Sequence, residues 1–205
     1  MMIQWCLKGL NLDDDATARR IIDEHRGILC NWWRDVGMIS PPQVREKLTP
    51  DNIEMHVNQF EDLDPATNRP FSEITPFISL TAGTVERDSV MKTNRARRAL
   101  QTAIWFGSNF GRARYAYLYL CWLVVAPRRS VEVEGVAEEV RDLNVYRRYS
   151  PYQTEGEITA KIQVPGNQIK QCEKWDASGV PHLMWVHLNH SFNGPETLSN
   201  IREVI

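Results

Sequence analysis

Apolar side chains recur at helical spacing through much of the first half of the chain and in alternating or continuous runs through the second. Ile3 to Leu7 is a short apolar run ending at Lys8 and Gly9, which predicts a first strand. Asp13, Asp14 and Asp15 precede Ala16 to Arg26, where Ala18, Ile21, Ile22 and His25 make a helical stripe. An aspartate supplies the N-cap and favourable charge at the positive helix end, and Gly27 is the natural stop. Pro41-Pro42 opens a helical stretch to Leu48, Asp51 to Phe60 predicts another short helix, and Asp62 to Pro70 reads as loop. Phe77 to Thr81 predicts a strand closed by Gly83. In Thr93 to Phe106, Ala96, Ala99, Leu100, Ala103 and Ile104 form one side of a helix, with Arg95, Arg97, Arg98 and Gln101 on much of the other.

After a loop over Gly107 to Gly111 comes the most strongly β-like run, Tyr115 to Val125, apolar on both faces and therefore expected at the centre of a sheet. Beyond Pro127, Ser130 to Val133 is expected to pair as a strand and Gly135 to Asn144 to form a short helix. Tyr146 to Thr154 reads as a polar, aromatic loop. Glu157 to Gln163 alternates, with Ile158, Ala160 and Ile162 on one face. Val164-Pro165-Gly166 turns, and Gln168 to Trp175 and Leu183 to Leu188 are strand-like; the tail after Asn193 carries no pattern. Helices early and strands late argue for an α+β fold.

A length of 205 residues predicts one domain over 1–205. The longest uncharged apolar run, Tyr115 to Ala126, falls short of the roughly 18 residues that cross a bilayer, and Met1 to Leu10 lacks a signal-peptide core. The expectation is a chain without a membrane partner, cytoplasmic or delivered into a target cell. Cys6, Cys30, Cys121 and Cys172 form no CxxC pair, which favours reduced thiols; His182, His187 and His190 have no Cys or acidic partner at ligand spacing, so no metal is expected. The net charge of −2 conceals an uneven layout. Residues 1–64 hold 12 acids against 7 bases, whereas Ser89 to Val131 holds eight bases and no acid, a local +8 suited to a polyanion or to a solvated helix face.

Rossmann, P-loop, zincin and α/β-hydrolase motifs are absent from the sequence. The chemistry-bearing stretch is Arg148 to Ile158, where an aromatic loop leads into Glu155 and Glu157 at the start of a strand. Two residues apart in extended chain, these carboxylates would face the same side. Such a pair can divide its work, one stabilising a cationic transition state and the other positioning or deprotonating a nucleophile.

The run Tyr115 to Pro127, then Tyr149-Ser150-Pro151, Glu155-Gly156-Glu157-Ile158 and Val164 to Ile169, resembles mono-ADP-ribosyltransferases of the cholera and heat-labile enterotoxin type in order and spacing. Phe77 to Thr81 is similar to that family's Ser-Thr-Ser strand, with Leu80 and Thr81 as departures. The resemblance covers residues 77 to 175 and implies an ADP-ribosyltransferase-like split, twisted sheet using NAD as co-substrate. The first-strand arginine of the family is missing: Cys6 stands in its place after Trp5, Lys8 lies two further on, and Arg26 is a competing candidate. Lys8 retains a charge for phosphate without the bidentate fork.

By this resemblance Glu157 is the catalytic carboxylate and Ser79 orients it. Thr81 supports packing or touches the cofactor, and Glu155 acts on the acceptor. Lys8 meets phosphates, the loop from Phe106 to Phe110 covers the nicotinamide end, and Tyr149 and Tyr152 contact the acceptor. The implied function is ADP-ribosyl transfer to a macromolecule, protein arginine favoured by the first Glu, with the chain a toxin, effector or resident regulator and an antitoxin or immunity protein a possible partner. Modification of RNA or DNA, and a non-catalytic interaction domain, are the alternatives.

Overall fold

A computed structural model describes residues 1–82, 92–126, 128–140, 156–195 and 202–204, without the side chains of 92–98 and 202–204. Strand β1 (Met2–Leu10) pairs antiparallel along its whole length with β4 (Tyr115–Val125), from Met2 opposite Val125 to Leu10 opposite Tyr117. β4 continues to β7 (Ile169–Asp176) and β7 to β8 (His182–Leu188), all antiparallel. The other edge of β1 is divided. Its start takes β9 (Arg202–Val204) in parallel, while near its end β3 (Phe77–Thr81) meets it at one rung, Leu7 opposite Thr81. β3 then pairs fully with β5 (Glu157–Lys161). A separate ribbon joins β2 (Ile28–Leu29) to β6 (Gln163–Val164). The fold is α+β, with the split sheet expected from the sequence.

Helix α1 (Asp15–Asp23) lies against one face of the sheet, where the Tyr119 hydroxyl donates to the Ala18 carbonyl at 2.8 Å and Cys6, Tyr119, Cys121 and Cys172 join the main core. Asp14 caps it, accepting the Thr17 N–H at 2.7 Å, an interaction worth about 1 kcal/mol. The helix ends at Asp23 rather than running to Arg26, because Glu24 closes it and His25 enters the left-handed region at φ 56°. Short helices α2 (Asn31–Val36), α3 (Pro41–Lys47), α4 (Pro50–Asn58) and α5 (Phe71–Ile74) follow, α3 opening on the Pro41 read from the sequence and α4 on Pro50, one residue before its expected start. All four cysteines are buried and free.

Helix α6 (Lys92–Gly107) covers the opposite face through Ala103 and Ile104 on Ala116 and Leu118. Its backbone lies directly on Gly9: a Cβ there would stand 2.0 Å from the Ala103 carbonyl oxygen and 2.9 Å from the Gly107 nitrogen. Only a residue without a side chain permits this approach.

Three expectations fail between residues 130 and 163. The expected strand at 130–133 and the described part of the helix at 135–144 form an irregular strap. Glu138 exchanges backbone bonds with Thr159 of β5, 2.9 Å each way. Its buried carboxylate receives Lys161 Nζ at 2.8 Å, and that ammonium also reaches the carbonyls of Val133, at 2.9 Å, and Ser130. A buried carboxylate requires such partners, and they outweigh the local helix preference of the sequence. The strand expected over 157–163 breaks at Ile162, which takes φ 64° and sends its N–H to the Pro76 carbonyl at 2.7 Å.

Gly9→Ala is expected to lower unfolding free energy by about 3 kcal/mol or more, because backbone has to move. Gly135→Ala, with nothing within 4 Å of the added carbon, is expected to stay within about 0.5 kcal/mol of the parent. Denaturant midpoints measured at unchanged m-value check both, and equal stability of the two variants would contradict the close packing of α6 on β1.

Candidate active site

The site forms where β3 leaves β1. Thr159 spends its backbone bonds on Glu138, so it turns away from β3; Ser79, directly opposite, points its own N–H and C=O toward β1. With only Leu7 and Thr81 in register, β1 supplies no ladder partner for that carbonyl, and Lys8 Nζ donates to it at 2.9 Å. Burial lowers the Lys8 ammonium to about 8, against the Glu157 carboxylate, which favours its charged form.

Ser79, Thr81, Glu157 and Thr159 share one face of the β3–β5 pair. Glu157 is buried, accepts the Thr159 hydroxyl at 3.2 Å, and has its Oε1 3.9 Å from His56 Nε2. His56, carried by α4, joins Ser79 Oγ at 2.9 Å through Nε2 and Thr75 Oγ1 at 2.9 Å through Nδ1. Thr75 Oγ1 also receives the Phe77 N–H at 3.2 Å. A neutral imidazole donates from one ring nitrogen and accepts at the other, so His56 bridges the two hydroxyls as donor to one and acceptor from the other. Burial, reinforced by the Lys8 charge, lowers His56 to about 3, so it is a neutral hydrogen-bonding spacer at pH 7.

A cavity of about 510 Å³ opens beside these groups, lined by Lys8, His56 and Ser79 and by the exposed arginines Arg20, Arg26 and Arg34. Cationic and hydrogen-bonding groups over such a volume suit an extended anionic ligand.

Of the residues singled out in the sequence, Lys8, Ser79, Thr81 and Glu157 are brought together. Lys8 and Ser79 line the cavity, as does Arg26 in the turn after α1, whereas Thr81 and Glu157 are buried behind them and do not. Phe106 and Phe110 do not: they are exposed and pack on one another, and neither lines the cavity, because α6 carries them on the other face of the sheet. Glu155, Tyr149 and Tyr152 lie outside the described residues. His56 and Thr75 were not found in the sequence. His56 falls on the buried stripe of Ile53 and Val57, where it reads as a core residue.

The expected result for His56 in a pH titration of its ring by NMR is a neutral imidazole down to pH 5. The unfolded chain takes up this proton near 6.5 and the folded one only near 3, so stability falls as pH drops through that window. His56→Gln should remove about one proton from the slope there, measured as denaturant stability against pH.

Among solved structures, EcPltA matches with a TM-score of 0.51 and 10% identity over 98% of this chain and 90% of its own. A variant of heat-labile enterotoxin matches at 0.48 and 15% identity, over 98% and 82%. The catalytic domain of the mosquitocidal toxin from Bacillus sphaericus matches at 0.46 and 14%, over 98% and 64%. No protein-family profile and no curated protein sequence matches the chain. At these identities the likeness is one of fold, and the fold of this chain is α+β and ADP-ribosyltransferase-like.

Proposed function

We propose that the chain is an NAD-dependent mono-ADP-ribosyltransferase that transfers ADP-ribose to a macromolecular acceptor, protein arginine being favoured. The observation that carries this reading is the meeting of Lys8, His56, Ser79 and a buried Glu157 beside an arginine-lined cavity. The sequence likeness at Tyr149 to Ile158 and the fold support it.

In the proposed reaction the bond between ribose C1′ and the nicotinamide nitrogen breaks and its electron pair leaves with nicotinamide. Positive charge then develops on the ribose, and the Glu157 carboxylate stabilises it. Ser79, held by the neutral His56, fixes the surroundings of that carboxylate. Arg20, Arg26, Arg34 and Lys8 supply positive charge for the pyrophosphate. The acceptor nitrogen attacks C1′ and gives up a proton, a step assigned to Glu155. A neutral histidine suits this site, since it adds no positive charge next to a developing cation.

A nucleic-acid acceptor is the second reading, favoured by the acid-free run of eight bases from Ser89 to Val131. Such an enzyme would lose affinity and salt dependence on charge reversal of Arg95, Arg97 and Arg98, whereas a protein-directed one would be nearly unaffected.

Nicotinamide release and labelled ADP-ribose transfer, measured with separate pools of protein, RNA and DNA, test the proposal. Glu157→Gln is expected to lower both activities by about 10² to 10³. Glu155→Gln is expected to lose transfer while slow hydrolysis of NAD persists. A parent chain that releases no nicotinamide would overturn the reading; equal loss of both activities in Glu155→Gln would remove the division of labour.

A further inference from the structure

The last turn of α6 and the loop after it display three aromatic rings to solvent, Trp105 at 54%, Phe106 at 44% and Phe110 at 42% exposure. Phe110 meets the other two edge to face, with ring centres 6.3 Å from Trp105 at 77° and 5.5 Å from Phe106 at 68°. Exposed aromatic clusters of this kind are uncommon on a surface without a partner.

The backbone that holds Phe110 outward is strained. Asn109, Phe110 and Gly111 take φ of 51°, 58° and 77° in succession, and a bulky side chain in that region is an outlier. Ile162 is the contrasting case: its φ of 64° accompanies complete burial, so packing compensates the strain. Phe110 has no such compensation from burial within the chain, which is the signature of a conformation kept for function.

The loop is also rigidly tied. Phe110 N–H donates to the Trp105 carbonyl at 2.8 Å, Ala113 N–H to the Ser108 carbonyl at 2.8 Å, and Gly111 N–H to Ser108 Oγ at 3.1 Å. The exposed Arg112 and Arg114 follow directly; Asp176 holds Arg114 Nε at 3.0 Å while leaving the side chain largely in solvent. They belong to the acid-free run from Ser89 to Val131. The cluster is separate from the cavity, since none of the three rings lines it.

We propose that Trp105, Phe106 and Phe110, flanked by Arg112 and Arg114, form a pre-organised docking knob for a protein that offers an apolar recess edged with carboxylates. Tryptophan and arginine are the side chains that dominate protein–protein hot spots, and basic flanks on an acid-free segment complement an acidic rim. A nucleic-acid platform is disfavoured because single-stranded bases need open ring faces, and here the rings close edge to face on one another.

Binding of a fluorescent glutamate–tyrosine copolymer, which presents aromatic groups among carboxylates, tests the proposal without NAD, so its outcome is independent of the reading of the cavity. The parent chain should bind, and Phe106→Ser and Phe110→Ser should each weaken binding by about tenfold. Arg112→Glu should weaken it more at low salt than at high. Phe110→Gly, which suits the left-handed backbone, should remain folded by thermal melting and still bind weakly. Failure of the parent to bind, or unchanged binding in both phenylalanine variants, would overturn the proposal. So would an oligothymidylate bound more tightly than the copolymer and lost in the same variants.

Discussion

The site depends on one separation, that of β3 from β1 after the single rung between Leu7 and Thr81. Had the two strands stayed paired, a ladder N–H would occupy the Ser79 carbonyl. Backbone acceptors away from water demand a donor, and here the donor is an ammonium. Lys8 thereby bridges the parting strands at 2.9 Å, ties the β3–β5 leaf to the central sheet, and places a positive charge beside Glu157. The same divergence makes room for His56 between Ser79 and Glu157.

Charge is then managed differently at the two ends of β5. At its start, the buried Glu157 lies near a lysine whose charge is weakened by burial and near a histidine kept neutral, and it is those two neighbours that line the cavity. At its end, Lys161 is wholly enclosed by the Glu138 carboxylate and the carbonyls of the 130–138 strap. Separating that pair would strand a charge in a medium that solvates it poorly, at a cost of several kcal/mol. The strap therefore clamps the outer edge of β5, and the strand that presents Glu157 is held on one edge by β3 and on the other by Glu138.

Helix α6 links the two surfaces of interest without joining them. Its Ala103–Gly107 backbone closes on Gly9, the residue after Lys8, so α6 and the cavity lie on opposite sides of the same stretch of β1. None of the three rings lines the cavity, so a partner seated on them would leave it open.

Much of the scaffold was legible in local pattern. The apolar run Tyr115 to Val125 is the central strand β4 with those same ends, since burial on both faces leaves a continuous apolar stretch, and Pro41 marks the start of α3 because proline suits a first helical turn. The order of motifs from Phe77 to Ile169 points to the fold and to Ser79 and Glu157, while Lys8 and Arg26 are the candidates left by the missing first-strand arginine. Periodicity, however, reports only which side of a strand or helix is apolar. Where two strands part, which carbonyl loses its partner, and that a histidine on an apolar stripe turns its nitrogens to Ser79 and Thr75 depend on contacts between segments distant in sequence. The same holds for Glu138, whose local sequence favours helix but whose buried pairing with Lys161 prevails, and for Phe110, drawn outward with α6. Local propensities differ by fractions of a kcal/mol, whereas an unpaired buried charge or backbone group costs more, and so the tertiary structure decided those positions.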